Sequence, residues 1–499
     1  MGSRPGTRVQ PVALTLEPPA MPLRPSVVAL AAAALLSACA VGPDYVRPTL
    51  TVPAAYKESG NWKPAEPRPA ASNLAWWQVY GDTTLDGLMV DAQAANQNIR
   101  QAEATYRQAL ALADADRAGL FPTLGLNAGV ARARANASGV VRTGNADSLG
   151  LAASWEPDLW GSVRRTIESG NASAQASADD LAAARLSIQT TLAQDYLQLR
   201  VADQQRDLYD ATIAAYAQAL KLTRAQHGAG VALQSDVALA ESQLAQAQAA
   251  AVDLEATRAQ LEHAIAVLTG RAPAQFALAR APASQPMALR LPASPAGLPS
   301  ELLEHRPDIA GAERRAAAAN ANIGVAKAAY FPQLTLNAAG GFSAAAMSSL
   351  FDTPSRVWSL GAALAQTIFD GGLRRAHTAQ AEAAYDVTVA QYKETVLGAF
   401  QQVEDDLALL RLLDQELAFQ DQAVRSAKQA EQLAINQYRA GTASYLSVVT
   451  AQTLSLSNQR TAVQLRGRLI AANVSLVAAT GGGWSAAEPL AAASSTQPQ

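Results

Sequence analysis

Tyr438-Arg439-Ala440-Gly441-Thr442-Ala443-Ser444-Tyr445-Leu446 is a turn-like stretch inside a segment, 355–488, that contains no proline. Before it, apolar residues recur in steps of three or four, the period of one helix face, at Val389, Tyr392, Val396, Phe400, Val403, Leu407, Leu410, Leu413 and Leu417. After it, apolar residues recur every seven positions, as in a narrow coiled-coil seam, at Val449, Leu456, Val463, Ile470 and Val477. The stretch therefore predicts two long helices that run down and back through one tight turn, in which Gly441 lets the backbone leave the helix.

A similar stretch, His227-Gly228-Ala229-Gly230-Val231, lies in another proline-free segment, 158–272. The helical period before it predicts a helix from 161 to 226, on the order of 100 Å long. A second helical period follows the stretch. The chain is therefore predicted to contain two helical hairpins with tips over 227–233 and 438–445, and Gly228, Gly230 and Gly441 are the expected turn glycines.

The composition excludes several kinds of function. Charged residues make up 16% of the 499 positions and the net charge is −3, so no basic field indicates nucleic acid binding. Cys39 is the only cysteine, which excludes a disulfide within the chain and a cysteine-built metal site. The four histidines form no metal-binding pair and stand at 227, 263, 305 and 377. We therefore expect no cofactor, no metal and no enzyme activity.

Residues 1–38 are predicted to be a secretory signal. A basic residue, Arg24, precedes an apolar run over 27–36, and small residues follow it. The run is too short for a membrane-spanning helix, which needs about 20 residues. Residues 1–20 are rich in proline and arginine and precede a second methionine, Met21, which is consistent with a start-site artefact.

Leu36-Ser37-Ala38-Cys39 resembles the bacterial lipobox. The resemblance implies cleavage before Cys39 and acylation of that cysteine, with palmitate as a typical chain, and each buried methylene adds roughly 0.8 kcal/mol of membrane affinity. Because Ala40 rather than an aspartate follows, it also implies sorting to the outer membrane. The next segment, 39–80, contains six prolines, so it is predicted to be extended, and it ends at a packing anchor, Trp76-Trp77.

The mature chain reads as two units. Residues 81–270 form the first, a proline-rich linker covers 271–299, a second unit covers 300–483, and 484–499 form a tail. In the first unit Asp82 is expected to cap one helix that stops at Phe121-Pro122.

Each unit also contains a strand pair. A period of two predicts strands over 123–135 and 148–156, joined by a polar loop from 136 to 148. Arg132 and Arg134 share the parity of the apolar face, so in a membrane they must lie beyond the hydrocarbon. The second unit has predicted strands over 333–343 and 357–367.

The two units align at an offset of 210 positions. Matching features are Phe121-Pro122 with Phe331-Pro332, Gly161, Arg164 and Arg165 with Gly371, Arg374 and Arg375, and Thr269-Gly270 with Thr480-Gly481. The last match requires one residue gained in the second unit, which we place after Arg375. Each unit is thus predicted to be helix, strand, loop, strand, long helix, tip and helix.

Four strands cannot close a membrane barrel, because about eight is the smallest useful number. An open edge in lipid leaves backbone groups unpaired at several kcal/mol each. The chain is therefore expected to oligomerise, and three copies give a twelve-stranded barrel continued by an all-α cylinder. The predicted fold class is mainly α with a membrane β-barrel part. The alternative is a soluble helical coiled-coil protein whose apparent strands are loops.

These residues resemble the TolC-like outer-membrane factors, within them the lipoprotein (NodT-type) branch of RND-type efflux systems. The motifs are Cys39 with Gly42-Pro43-Asp44-Tyr45, Trp76-Trp77, Leu303-Glu304-His305-Arg306-Pro307-Asp308-Ile309, Ala328-Ala329-Tyr330-Phe331-Pro332, Phe369-Asp370-Gly371-Gly372 and Tyr438-Arg439-Ala440-Gly441. The resemblance implies a homotrimer with an outer-membrane β-barrel and a periplasmic α-barrel tunnel. It also implies a periplasmic adaptor at the tips, an inner-membrane RND pump that supplies energy, and a tunnel that conducts solute passively.

The resemblance implies a gate at the tips. The family's constriction leucine corresponds to Leu446, and the aspartate four residues later corresponds to Thr450. The following arginine position is Thr453. We therefore predict a gate held by packing and neutral hydrogen bonds rather than by an acidic ring. Tyr438 and Arg439 are the other gate candidates, and the family adds adaptor docking to the tip glycines.

Two further motifs suggest other chemistry. His305-Arg306-Pro307-Asp308 is similar to a kinase catalytic loop, but no phosphate loop accompanies it, so we interpret it as a helix start. Glu404-Asp405-Asp406 is interpreted as a solvated acidic helix face rather than a catalytic pair. The predicted function is an efflux conduit for drugs or small toxic solutes. The alternatives are a protein or peptide secretion conduit and a structural lipoprotein without transport.

Overall fold

The computed structural model describes residue 2 and residues 40–53, 55–59, 75–137, 140–280, 305–482 and 484. The signal peptide, Cys39, most of the predicted linker and nearly all of the tail lie outside the described residues. Within them the protein is mainly helical with one antiparallel sheet, which confirms the predicted class. The helices are α1 Thr83–Ala95, α2 Gln97–Ala118, α3 Ser162–Gly228, α4 Gln234–Leu268, α5 Pro307–Ala328, α6 Leu373–Arg439 and α7 Tyr445–Ala479. The strands are β1 Thr123–Ala137, β2 Val140–Trp155, β3 Gln333–Ala344 and β4 Arg356–Ala365.

The prediction of a single helix after Asp82 is wrong, because this segment forms two helices, α1 and α2. Asp82 caps α1 as expected and accepts hydrogen bonds from the backbone N–H groups of Thr84 and Leu85. Asn96 then adopts an extended conformation, and its side chain accepts from two N–H groups at the start of α2. An asparagine competes with the helix backbone in this way, so the chain ends one helix and caps the next at a single residue.

The polar loop predicted from 136 to 148 is also wrong. The strands β1 and β2 extend through it and remain paired up to Ala137 and Val140. Small and polar residues continue the ladder there because backbone pairing does not require apolar side chains. The other strands differ from the prediction by one or two residues at their ends.

The sheet has the order β1-β2-β3-β4, and every neighbouring pair is antiparallel. The first and last strands each have one neighbour within the part of the chain that the structure describes. One sheet face carries apolar side chains in strict alternation, and those of the outer strands are exposed: Leu124, Leu126, Val130, Trp358, Leu360 and Leu364. The sheet thus presents an apolar band and two open edges.

The helices form four parallel rows. The helices α3 and α6 are 67 residues each and about 100 Å long at 1.5 Å per residue. The shorter α2 and α4 lie along α3 and meet end to end, whereas α5 and α7 lie between α3 and α6 and meet in the same way. The largest core cluster lies where these short helices meet, and Trp76 and Trp77 are buried in it.

On α7 the predicted seven-residue seam is not the most buried row. In that seam Ile470 is buried, whereas the other members are partly exposed. The row that packs on α6 is shifted along the helix and includes Leu465, Leu469 and Leu476. Ile470 and Val477 instead contact the cluster on α3, so α7 uses two faces because it lies between two long helices.

The two units have the same construction, but the extra residue is not where the sequence placed it. The helices α3 and α6 both begin after a left-handed glycine, Gly161 and Gly372, which stand 211 positions apart. The offset is already 211 at β4, because Leu126 pairs with Leu151 whereas its counterpart Leu336 pairs with Ala362. The gained residue therefore lies in the β3–β4 hairpin.

A side-chain contact at the base of the sheet supports this corrected offset. The Trp155 indole donates to the Leu120 carbonyl oxygen at 3.1 Å. The Gln366 amide donates to the Tyr330 carbonyl oxygen at 2.9 Å. Leu120 and Tyr330 are 210 apart, and Trp155 and Gln366 are 211 apart, so two different side chains make one equivalent hydrogen bond.

Candidate functional site

The tip turns have the same backbone in both hairpins. Gly230 and Gly441 both have φ of 74°, the left-handed region that favours glycine. Their N–H groups donate to the carbonyl oxygens of His227 and Tyr438 at 2.8 and 3.0 Å, which closes the helix ends. Gly228 differs, because it is the last residue of α3 rather than part of the turn.

Tyr438 joins the two hairpins at the tip. Its hydroxyl donates to the Gln226 side-chain oxygen at 2.5 Å, across 212 positions of sequence. Its ring lies 5.3 Å from that of Tyr445. Sequence analysis named Tyr438 but missed Gln226, and no sequence signal distinguishes this glutamine from its exposed neighbours.

Tyr445 is the packing centre of the tip. It is buried among apolar residues from all four helices of the two hairpins, including Leu220, Val237, Ala434 and Val448. Burial, together with the neighbouring phenol of Tyr438, raises the pKa of Tyr445 to about 12. The phenol therefore stays neutral at physiological pH, and the tip is joined by neutral groups.

The predicted gate residues lie on the exposed surface near this centre. Leu446 is exposed, and the Thr450 hydroxyl donates to its carbonyl oxygen at 2.9 Å. Thr453 makes the equivalent bond to Val449 at 2.8 Å. Arg439 is exposed and has no ion pair with the residues that the structure describes. In the described conformation both threonine hydroxyls are thus bonded to their own helix.

The residue that follows the predicted lipidation site lies at the junction of sheet and helices. Cys39 is outside the described residues, but Ala40 packs against Gly161, where α3 begins. The Val41 N–H donates to the Trp160 carbonyl oxygen at 3.1 Å. The start of the described chain is therefore fixed at the base of the sheet.

We name residues 40–53 and 55–59 the strap, because they run from this junction along α5 and α6. Arg165, only 4% exposed, forms an ion pair with Asp44 at 2.8 Å and donates to strap carbonyl oxygens. Farther along, Asn320 of α5 donates to the Pro43 carbonyl oxygen at 3.0 Å. These contacts hold the first part of the strap between the two repeats.

The strap ends at an acidic residue that sequence analysis assigned to a solvated face. The Glu404 carboxylate accepts from the backbone N–H groups of Lys57 and Glu58 at 2.7 and 2.9 Å. Glu58 in turn forms an ion pair with Arg411 at 2.6 Å. The interpretation of Glu404 as merely solvated is therefore wrong, because its partners lie about 346 positions earlier in the chain.

His305-Arg306-Pro307-Asp308 is confirmed as a helix start, with Pro307 as the first residue of α5. In the described part of the chain no group of acidic, histidine or cysteine side chains is arranged to hold a metal. No helix among the described residues is long and apolar enough to span a membrane.

The chain is similar to known proteins along almost its whole length. A family model described as "Outer membrane efflux protein" matches residues 88–271 and 298–482. The pyoverdine export outer membrane protein OpmQ of Pseudomonas aeruginosa is 33% identical over 465 residues, which cover 91% of this chain and 96% of that protein. The toluene efflux pump outer membrane protein TtgF of Pseudomonas putida is 30% identical over 482 residues, which cover 93% of this chain and 98% of that protein.

The solved structure of the outer-membrane channel OprN superimposes with a TM-score of 0.84 at 31% identity, covering 89% of this chain and all of OprN. The repeat of strand pairs and long helical hairpins, with an exposed apolar sheet face, defines a channel protein of the bacterial outer membrane. The chain belongs to the outer membrane efflux protein family, which confirms the resemblance to the TolC-like factors.

Proposed function

We propose that three copies of this chain close into an outer-membrane channel that passively conducts small solutes from the periplasm to the exterior. The observation that carries the proposal is the open four-stranded sheet, which has an exposed apolar face and two edge strands with one neighbour each in the described residues. Such edges are costly in lipid, and three copies supply twelve strands that pair every edge. The long hairpins then continue the barrel as a helical tunnel.

We assign the gate of this tunnel to the helix tips. Tyr438 and Gln226 connect the two hairpins by one hydrogen bond, and Tyr445 fills the centre between them. Opening the tunnel requires these hairpins to separate, so this contact resists opening. Leu446 and Thr450, which are exposed beside it, are the residues we assign to the constriction.

We infer a membrane anchor and two protein partners, which this placement supports. The strap begins at the base of the sheet, so an acylated Cys39 would lie at the membrane surface, where its chains can insert. The tips lie at the opposite end of the long helices, and Gly230 and Gly441 shape the surface that a periplasmic adaptor would contact. An inner-membrane RND pump, joined through that adaptor, supplies the energy.

The substrate class is drugs or other small toxic solutes. Relatives named for pyoverdine export and toluene efflux differ in cargo but share the fold, which supports a conduit that selects little. Protein or peptide secretion and a structural role without transport are the alternatives that the test must separate.

The first test is the mass of the detergent-extracted outer-membrane protein by light scattering, with mass spectrometry of the N-terminus. About three chains per particle and an acylated Cys39 are expected. Deletion of the gene should then sensitise the cell to small toxic compounds without reducing the level of secreted proteins. A monomer would contradict the channel, a secretion defect alone would favour the protein conduit, and a trimer without either phenotype would favour the structural role.

A further inference from the structure

The two open sheet edges have a partner that follows from the internal repeat. The strands β2 and β3 pair antiparallel although they belong to different repeats. The counterpart of β2 in the second repeat is β4, and the counterpart of β3 in the first repeat is β1. We propose that β4 pairs with β1 of a second copy in the register of the β2–β3 pair, an inference that rests on the ring of copies proposed above.

The offsets fix this register residue by residue. The β2–β3 pair places Ala153 opposite Ala338. The counterpart of Ala153 lies 211 positions later, at Leu364, and the counterpart of Ala338 lies 210 positions earlier, at Ala128. Leu364 is therefore expected opposite Ala128 of the partner subunit. The further pairs, with the partner subunit's residue second, are Ala362 with Val130, Leu360 with Arg132 and Trp358 with Arg134.

The face of each strand gives a check that was not used to derive the register. Residues directly opposite each other in a sheet point to the same face. Apart from Val357, the large exposed apolar side chains of both edge strands belong to even-numbered residues. The register pairs even with even residues, so the apolar band continues between copies. A slip of one residue would place one apolar face against the other strand's polar face.

The register also provides a partner for an arginine that is otherwise unexplained. Arg134 shares the parity of the apolar face, and its side chain is exposed. Opposite it, on the partner subunit, lies Trp358, whose side chain is 79% exposed in the single chain. A guanidinium beside an indole is a favourable cation–π pair. The arginine therefore marks the polar end of the apolar band at the joint between copies.

Below the sheet, the same repeat offset predicts which exposed apolar residues of the helices become buried between copies. Within the chain, Gly467 of α7 lies against Val201 of α3, where an added Cβ would be 3.0 Å from the valine. The counterparts are Leu412 of α6 and Ala256 of the partner subunit. Leu412 is 52% exposed, and Val252, one turn from Ala256 on α4, is 64% exposed. The joint between copies buries both residues.

Near the base of the sheet, a pair of residues within the chain and its counterpart between copies have the large and the small side chain on opposite partners. The Arg165 side chain crosses Gly324, where an added Cβ would be 2.8 Å from it. The counterpart of Arg165 is Ala376, and the counterpart of Gly324 is Asp114 of the partner subunit. A large residue beside glycine thus corresponds to a small residue beside aspartate, so the joint between copies has room for the acidic side chain.

Cysteine cross-linking of the full chain tests the register. The variant combines Leu364→Cys with Ala128→Cys, because paired strands hold Cα atoms about 4.5–5.5 Å apart, within the range of a disulfide. The matched control combines Leu364→Cys with Asn127→Cys, which moves one thiol to the other face. A second pair, Ala362→Cys with Val130→Cys, protects against a folding defect in the first. Each sample is oxidised mildly in the outer membrane, and its mass is measured in parallel.

The expected result is that most of the protein from both predicted pairs runs as a covalent trimer on a non-reducing gel, whereas the control runs as monomer. Cross-linking of the control instead of the predicted pairs would overturn the register. A particle of three chains with no cross-link in either predicted pair would also overturn it, while leaving the proposed channel in place. A monomeric particle would overturn the channel, and the register with it.

Discussion

The molecule contains one junction twice, and the two copies use different side chains. In the first, Asn96 caps the start of α2 and donates from its amide to the Leu268 carbonyl oxygen, at the end of α4, at 2.8 Å. In the second, Arg306 donates to the Ala479 carbonyl oxygen, at the end of α7, at 3.0 Å. Both residues thus satisfy a free carbonyl at a helix C-terminus, where a donor or a positive charge is favourable.

The difference lies in what else each junction holds. The Arg306 guanidinium also donates to Asp308 of α5 and to Gln402, which lies within the long helix α6. Asn96 joins only the ends of α1, α2 and α4. The comparison teaches that the repeat sets the backbone frame, whereas the side chains differ with the elements within reach: helix ends alone for Asn96, and also a long helix for Arg306.

The largest effect is expected from glycines that allow the helix ends to meet. Gly481 has φ of 93°, and an added Cβ would be 1.7 Å from the His305 carbonyl oxygen. Gly270, its counterpart, has φ of 71° and would meet the Ala95 carbonyl oxygen at 2.5 Å. We expect Gly481→Ala to abolish assembly and Gly270→Ala to weaken it severely, as measured by the yield of folded channel in the outer membrane.

Tip glycines provide the matched controls for this experiment. Gly441 has φ of 74° but nothing within 4 Å of an added Cβ, so Gly441→Ala should cost only about 1–2 kcal/mol of backbone strain. Gly228 is the last residue of α3, without a left-handed φ and with nothing within 4 Å of an added Cβ, so Gly228→Ala should be neutral or stabilising by up to about 1 kcal/mol. Equal damage at Gly441 and Gly481 would mean that the contact is not the cause.

The second prediction compares the two junction side chains directly. Arg306→Ala removes a buried cation with three partners and should cost about 3 kcal/mol. Asn96→Ala removes a cap and one hydrogen bond and should cost about 2 kcal/mol. Thermal unfolding of the purified channel measures both. Arg306→Lys keeps the charge but not the forked guanidinium, so its loss of stability should be smaller than that of Arg306→Ala. A larger loss for Asn96→Ala than for Arg306→Ala would contradict the comparison.

The parts of this fold that could be predicted from sequence are those with a local pattern. The helical period predicted both hairpins and alternation predicted four strands, whereas Tyr438 was named because it opens a motif, ending at Gly441, that the chain shares with the family it resembles. Each of these patterns lies within one element, where side-chain direction follows directly from backbone geometry.

The parts that could not be predicted depend on partners far away in the chain. Gln226 bonds Tyr438 across 212 positions, and Glu404 holds the strap across 347. The break at Asn96 was missed because its side chain replaces helical bonds on one side and reaches α4 on the other. No periodicity reports such choices, since they depend on which elements become neighbours.

The third prediction concerns a half-buried acid that occurs in both repeats. Burial, and then the negative charge of Asp405, raises the pKa of Asp406 to about 6, and burial also raises the pKa of its counterpart Asp195. The unfolded chain has the ordinary value of 3.8, so between pH 4 and 6 the folded protein binds more protons and its stability falls as pH rises.

Asp406→Asn should therefore raise the thermal midpoint at pH 7, by about 2 °C once solvent screening is allowed for, and should give no gain at pH 4. Asp195→Asn should change in the same direction. Asp405→Asn is the control, because it removes only the neighbouring charge and should give part of the gain. A gain that is the same at pH 4 and pH 7 would exclude titration as the cause.

The smallest effect is expected where the second repeat has a contact that the first lacks, at the Glu404 carboxylate that binds the end of the strap. The counterpart of Glu404 is Ala193, which is buried and has no carboxylate to accept from backbone N–H groups, so this contact has no equivalent in the first repeat. Glu404→Gln keeps the shape but weakens two hydrogen bonds, at a cost of about 1 kcal/mol. Proteolysis of the strap should become several-fold faster while the channel stays assembled. Asp405→Asn changes an exposed neighbour and should leave the cleavage rate unchanged, and equal rates in both variants would mean that Glu404 does not hold the strap.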